Sequence, residues 1–196
     1  MLMHFDIHQR YDKETIEPFS QSVIAASFDK SYQNYIQPHN PDNFDYISPD
    51  GKRALEISIV ISQNEKRACE YEKALLKKGK DAVRVPRRKD FLVDKNNRII
   101  AYGGGSMFEI RALISNRIVQ KNDKAIRRLQ LNNIDCVDLC LCIVDGSLFD
   151  LQSFELSFSD LDHFVFNRFF FITPSHFILY EKGIGFKEYP RKLSID

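Results

Sequence analysis

The stretch Asn43-Phe44-Asp45-Tyr46-Ile47-Ser48-Pro49-Asp50-Gly51-Lys52-Arg53-Ala54-Leu55-Glu56-Ile57-Ser58 decides how the chain is read. Pro-Asp-Gly lies between two short runs rich in β-forming residues, the signature of a tight hairpin. With Asp50-Gly51 as a two-residue loop, Pro49 faces Lys52, and counting outward sets Asp45 opposite Glu56. A type I turn at Pro49-Asp50 with Gly51 as a bulge is the alternative, and it moves the register by one residue. Like charges directly opposed across two strands are destabilising. Two carboxylates placed there therefore imply a cation held between them.

Outward from the hairpin, the second strand (53–61) is continuously apolar after Glu56, as befits a strand buried on both faces. Before it, Thr15–Phe28 reads as a helix with Ile16, Phe19, Val23 and Ser27 on one face, Pro18 in its first turn and Glu17 at the edge of the apolar face. After it, Ser62-Gln-Asn-Glu65 has capping-box spacing, with Asn64 the alternative cap, and the helix that follows runs to Lys78 and closes at Gly79. Ala82–Val85 reads as a short strand, 86–90 as a basic loop, and Phe91–Asp94 with Arg98–Tyr102 as a second hairpin. Gly103-Gly104-Gly105-Ser106 lacks the spacing of a phosphate-binding loop and reads as a plain connection, or as a linker standing in for another loop. A long helix follows from Met107 to about Leu131. Val137–Val144, Phe169–Ile172 and His176–Tyr180 complete the strands. The expected fold is α/β (α+β), a mixed central β-sheet flanked by helices, in one globular domain spanning 1–196.

The chain has 196 residues, 43% of them hydrophobic, with 16 phenylalanines, no tryptophan and a net charge of +1. Global charge therefore points to no partner, but its distribution is uneven. Lysine and arginine dominate 65–89 and 111–128, while 145–163 carries acids only. Basic central segments of this kind suit a polyanion. The four cysteines form no CxxC and have no histidine at zinc-ligand spacing, so they read as small hydrophobes in a reducing, cytoplasmic setting. No run approaches the roughly 18 apolar residues of a membrane span, and no signal-peptide stretch is visible.

A leading helix with a Glu, then Asp-x(10)-Glu-x-Ser over a hairpin, then a Lys-rich helix followed by a strand ending in Asp, resembles the PD-(D/E)XK (restriction-endonuclease-like) nuclease superfamily. The resemblance implies a restriction-endonuclease-like fold, a bound Mg²⁺ (or Mn²⁺) and hydrolysis of DNA. By motif position it makes Asp45 and Glu56 the metal ligands, with Asp42 a rival first acid, and Glu17, or else Glu14, the assisting acid of the first helix. The pattern departs where lysine usually stands two residues after the second acid: here Ser58 can bind a water but supplies no positive charge. Lys121 and Lys124 on the later helix are the substitutes, Lys121 in the catalytic group. Arg87, Arg88, Lys89 and Lys124 are then expected to contact phosphates. Two other expectations stand beside this one: a catalytically inactive copy of the fold that binds nucleic acid or protein, and a homodimer assembled through the aromatic run Phe164–Tyr180.

Overall fold

The computed structural model describes residues 13–40, 42–79, 91–93, 95, 99–102, 106–144 and 150–192. In chain order these form α1 (Lys13–Ser27), a 3₁₀ turn (Lys30–Asn34), β1 (Tyr46–Ile47), β2 (Arg53–Val60), α2 (Gln63–Lys78), β3 (Phe91–Val93), β4 (Ile99–Tyr102), α3 (Met107–Leu131), β5 (Cys136–Ile143), α4 (Leu151–Ser157), β6 (Arg168–Ile172), β7 (Phe177–Glu181) and β8 (Gly185–Tyr189). Six strands make one mixed sheet in the order β1-β2-β5-β6-β7-β8. Strands β2, β5 and β6 run parallel, whereas β1, β7 and β8 are antiparallel to their neighbours. The α+β class expected from the sequence is the one observed. Strands β3 and β4 pair separately as the second hairpin.

The opening hairpin settles its own ambiguity. Tyr46 pairs with Leu55 and Ile47 with Ala54, so the register continues to Asp45 opposite Glu56. The turn, however, spans Ser48–Gly51. The Gly51 N–H donates to the Ser48 carbonyl (2.9 Å) and the Ser48 N–H to the Arg53 carbonyl (2.8 Å), with Gly51 at φ +71°. A side chain is strained at that φ, so the glycine is required. Asp50 braces the turn by accepting from the Ser48 hydroxyl (2.5 Å) and the Lys52 N–H (3.0 Å).

Alternation along the strands builds a core on each face of the sheet. On one face Ala54, Val60, Leu139, Leu141, Phe169 and Phe171 pack against Ile110, Ile114 and Ile118 of α3 and Phe154 of α4. On the other, Leu55, Ile57, Cys140, Phe170 and Phe177 pack against Ile16, Val23 and Ile24 of α1 and Tyr32 of the 3₁₀ turn. The aromatic run that suggested an interface is spent here: Phe166, Phe169, Phe170, Phe171 and Phe177 are all fully buried. Helices α2 and α3 begin where the sequence placed them, Ser62 and Ser106 each accepting the N–H of the glutamate three residues on (3.2 Å). Helix α1 begins earlier than expected and already includes Lys13.

Phe170 touches Phe28, Tyr32 and Phe177. Truncating Phe170→Ala is expected to cost about 3–5 kcal/mol of stability in urea unfolding, against less than about 0.5 kcal/mol for Leu156→Ala on the exposed face of α4.

Candidate functional site

Glu17, Asp45, Glu56 and Lys121 meet at one point beside the short strand β1. The hairpin delivers two carboxylates, α1 delivers the third from one side of the sheet, and α3 delivers the lysine from the other. Glu56 lies in mid-strand and is 1% exposed, so its charge needs partners. Lys121 Nζ lies 2.5 Å from its Oε1 and Arg128 Nη1 lies 2.7 Å from its Oε2. Lys121 also donates to the Ile57 carbonyl (3.1 Å) and stands 4.0 Å from Asp45 Oδ2. The cation between the opposed acids is thus the ammonium of Lys121.

Asp45 is held through Oδ2, which accepts the Ile57 N–H (2.8 Å). Its Oδ1 lies 3.2 Å from Lys13 Nζ, and the same ammonium lies 3.0 Å from Glu17 Oε1. Gln37 Nε2 donates to the other Glu17 oxygen (2.9 Å). Burial and the neighbouring Asp45 carboxylate push the Glu17 carboxyl above its ordinary value, against the pull of Lys13. Burial works against the Lys13 ammonium, but attraction to Glu17 and Asp45 prevails and raises it. Three acids are therefore bridged by two ammonium groups, Asp45 belonging to both pairs. Among the described residues no group of three or more His, Cys, Asp or Glu is arranged to hold a metal ion; the carboxylates converge in pairs.

A cleft of about 240 Å³ opens beside the cluster, lined by Lys13, Ile16, Glu17, Ile57, Ser58, Ile59 and Arg117. Arg117, Lys121, Lys124 and Arg128 recur at helical spacing along one face of α3. Lys124 is exposed, and partial burial lowers its ammonium below the ordinary value despite the pull of Glu56. Arg87, Arg88 and Lys89 lie outside the described residues, as do 82–85, 103–105 and Asp145.

Lys13, Gln37 and Arg128 were missed in the sequence. The signals for two of them were present: Lys13 is four residues before Glu17, and Arg128 is seven after Lys121. Gln37 follows the 3₁₀ turn and has no pattern that marks it. Asp138 was missed as well. It is the acid in the otherwise apolar β5, fully buried on the opposite face from Glu56. The Tyr32 hydroxyl donates to its Oδ2 (2.6 Å), with Arg53 at 3.5 Å, and Arg168 pairs next door with Glu181 (2.9 Å).

Compared with protein-family models, curated proteins and solved structures, the chain matches none. Among the described residues no helix is long and apolar enough to cross a membrane.

Removing Arg128 leaves a buried carboxylate one partner short, so Arg128→Met is expected to destabilise by about 3 kcal/mol. The double variant with Glu56→Gln should lose less than the two single losses combined, as measured by a double-mutant cycle in urea. A second expectation concerns pH. Burial is the main cause holding the Asp138 carboxyl above its ordinary 3.8, while Tyr32 and the nearby arginines oppose it. An acid raised on folding binds more protons folded than unfolded. Its contribution is full at low pH and is lost as pH rises through the folded value. Asp138→Asn should therefore gain stability relative to wild type as pH rises from about 4, followed by chemical denaturation at a series of pH values.

Proposed function

We propose that the chain is a divergent metal-dependent nuclease-like protein that hydrolyses DNA phosphodiester bonds in the cytoplasm. The observation that carries this reading is the meeting of Glu17, Asp45, Glu56 and Lys121, four residues brought together from two helices and a hairpin. Their order supports the resemblance to the PD-(D/E)XK superfamily: a helix with an acid, a hairpin with facing acids, then a helix leading into a strand parallel to the second hairpin strand. The four described cysteines are free, in keeping with a reducing compartment.

The donor set fits Mg²⁺ or Mn²⁺. These are hard cations that take one or two carboxylates and keep several waters, and here buried carboxylates converge in pairs on a cationic position. Asp45 would hold the ion, with Glu56 or Glu17 as the second ligand. When bound, the ion would polarise a phosphodiester and lower the pKa of a coordinated water. The chain's own groups do the rest. Lys121, fixed by Glu56 and the Ile57 carbonyl, sets a positive charge beside Ser58 where a phosphate oxygen would gain charge. Arg128 holds Glu56 in one orientation. Arg117 and Lys124, on the same face of α3, carry phosphate contacts, which makes affinity fall with salt.

A second reading has its own observation. Both oxygens of Glu56 are already engaged, by Lys121 and Arg128. Such a neutralised site suits a catalytically inactive copy that binds nucleic acid or protein.

One assay separates the two. The nuclease reading expects cleavage of plasmid or oligonucleotide DNA with Mg²⁺ or Mn²⁺, lowered at least about 100-fold in Asp45→Ala and in Lys121→Gln. Cleavage unchanged in both variants would remove the site assignment. Salt-sensitive DNA retention without turnover, weakened by Arg117→Glu and Lys124→Glu, is the result expected of the binding module.

A further inference from the structure

Resting on the metal-dependent reading, we propose that the divalent cation is taken between Glu17 and Asp45, in the position that the Lys13 ammonium holds, and not between Asp45 and Glu56. Lys13 is then a tethered competitor for the site.

The two carboxylates are built for a shared ligand. Each is anchored through one oxygen, Glu17 by Gln37 (2.9 Å) and Asp45 by the Ile57 N–H (2.8 Å). The remaining oxygens, Glu17 Oε1 and Asp45 Oδ1, lie 3.0 and 3.2 Å from the same nitrogen. Both acids are buried, at 2% and 7% exposure. Glu17 Oε1 receives no aligned hydrogen bond from the described residues; the Lys13 ammonium offsets its charge without that alignment. Lys13, Lys121 and Arg128 together match the three carboxylates in charge, and a divalent ion in place of Lys13 would set two positive charges directly between Glu17 and Asp45.

The two ammonium groups also differ in how easily they yield. The Lys13 side chain is 72% exposed although both its partners are buried, so its ammonium can leave for water without crossing the core. Lys121 is 16% exposed, sits 2.5 Å from Glu56 and is tied to the Ile57 carbonyl. Displacing it would strand a buried carboxylate. Access points the same way. The cleft of about 240 Å³ has Lys13 and Glu17 in its walls but neither Asp45 nor Glu56, so an ion entering from it meets Glu17 first. A cation that keeps part of its water shell needs that open side.

The test is Mn²⁺ binding by the full chain without DNA, followed by isothermal titration and by the Mn²⁺ electron paramagnetic resonance signal. Glu17→Gln and Asp45→Asn should each weaken binding at least about tenfold, with Glu56→Gln within about threefold of wild type. Lys13→Gln should tighten it about tenfold, because the competitor is gone. Urea unfolding verifies that Lys13→Gln is folded, and an unchanged Mn²⁺ affinity in it overturns the proposal. So does loss of binding in Glu56→Gln with Glu17→Gln unaffected; the ion would then lie between Asp45 and Glu56 and the metal-dependent reading would survive. No Mn²⁺ binding in wild type or in Lys13→Gln would remove both.

Discussion

A carboxylate in the middle of a buried strand has to be neutralised where it stands, and Glu56 imposes that requirement on the molecule. Water cannot do it, because Glu56 is 1% exposed. The neutralising charges come from α3, whose Lys121 and Arg128 are seven residues apart and so share a helix face. This fixes the rotation of α3 on the sheet: Ile110, Ile114 and Ile118 enter the core while the basic stripe turns towards the hairpin. Arg128 adds a stacked contact, its guanidinium lying 5.5 Å from the centre of the Phe44 ring. One charge in one strand thereby couples the hairpin, α3 and the carboxylate cluster.

The opposite face answers the same requirement differently. Arg53, Asp138, Arg168 and Glu181 come from neighbouring strands β2, β5, β6 and β7 and alternate in sign across them. Tyr32 closes the row from above, stacked on Tyr35 at 4.8 Å. Asp138 is fully buried in that network, while Arg53, Arg168 and Glu181 are half-buried. Both faces hold buried charge, but a cleft with Lys13, Glu17 and Ser58 in its walls lies beside the Asp45 cluster, and this is what makes that cluster the candidate for chemistry.

Local chemistry made much of the fold legible. Ser62 and Gly79 mark the ends of α2 because an orphan N–H needs an acceptor and a helix stop suits a positive φ. Strand β2 was readable as interior because its apolar run leaves no polar face. The 3₁₀ turn, α4 and β8 were not read from the sequence. Helix α4 has seven residues, too few for a period to show. Strand β8, Gly-Phe-Lys-Glu-Tyr, lies at the sheet edge with two exposed residues and no apolar alternation. In the site, Asp45, Glu56, Glu17 and Lys121 were readable. Lys13 was lost because the start of α1 was placed two residues late, at Thr15. Moving it to Lys13 sets that lysine one turn from Glu17 on the same face.

Sequence alone located the hairpin and narrowed its register to two choices one residue apart, since a Pro-Asp-Gly turn leaves few ways to pair its flanks; the observed pairing of Tyr46 with Leu55 selected the one that opposes Asp45 to Glu56. Sequence also determined that a positive charge had to come between them, because opposed carboxylates repel. Which charge that is could not be read locally. Lys121 is 65 residues from Glu56 and Gln37 is 20 from Glu17, and nothing in their neighbours marks them as partners. Only the packing of α1 and α3 on opposite faces of one sheet decided that the cation is an ammonium, that Glu56 is closed and that Glu17, though buried, stands in the wall of a cleft. Burial and access are properties of the assembled layers, and charge pattern alone does not contain them.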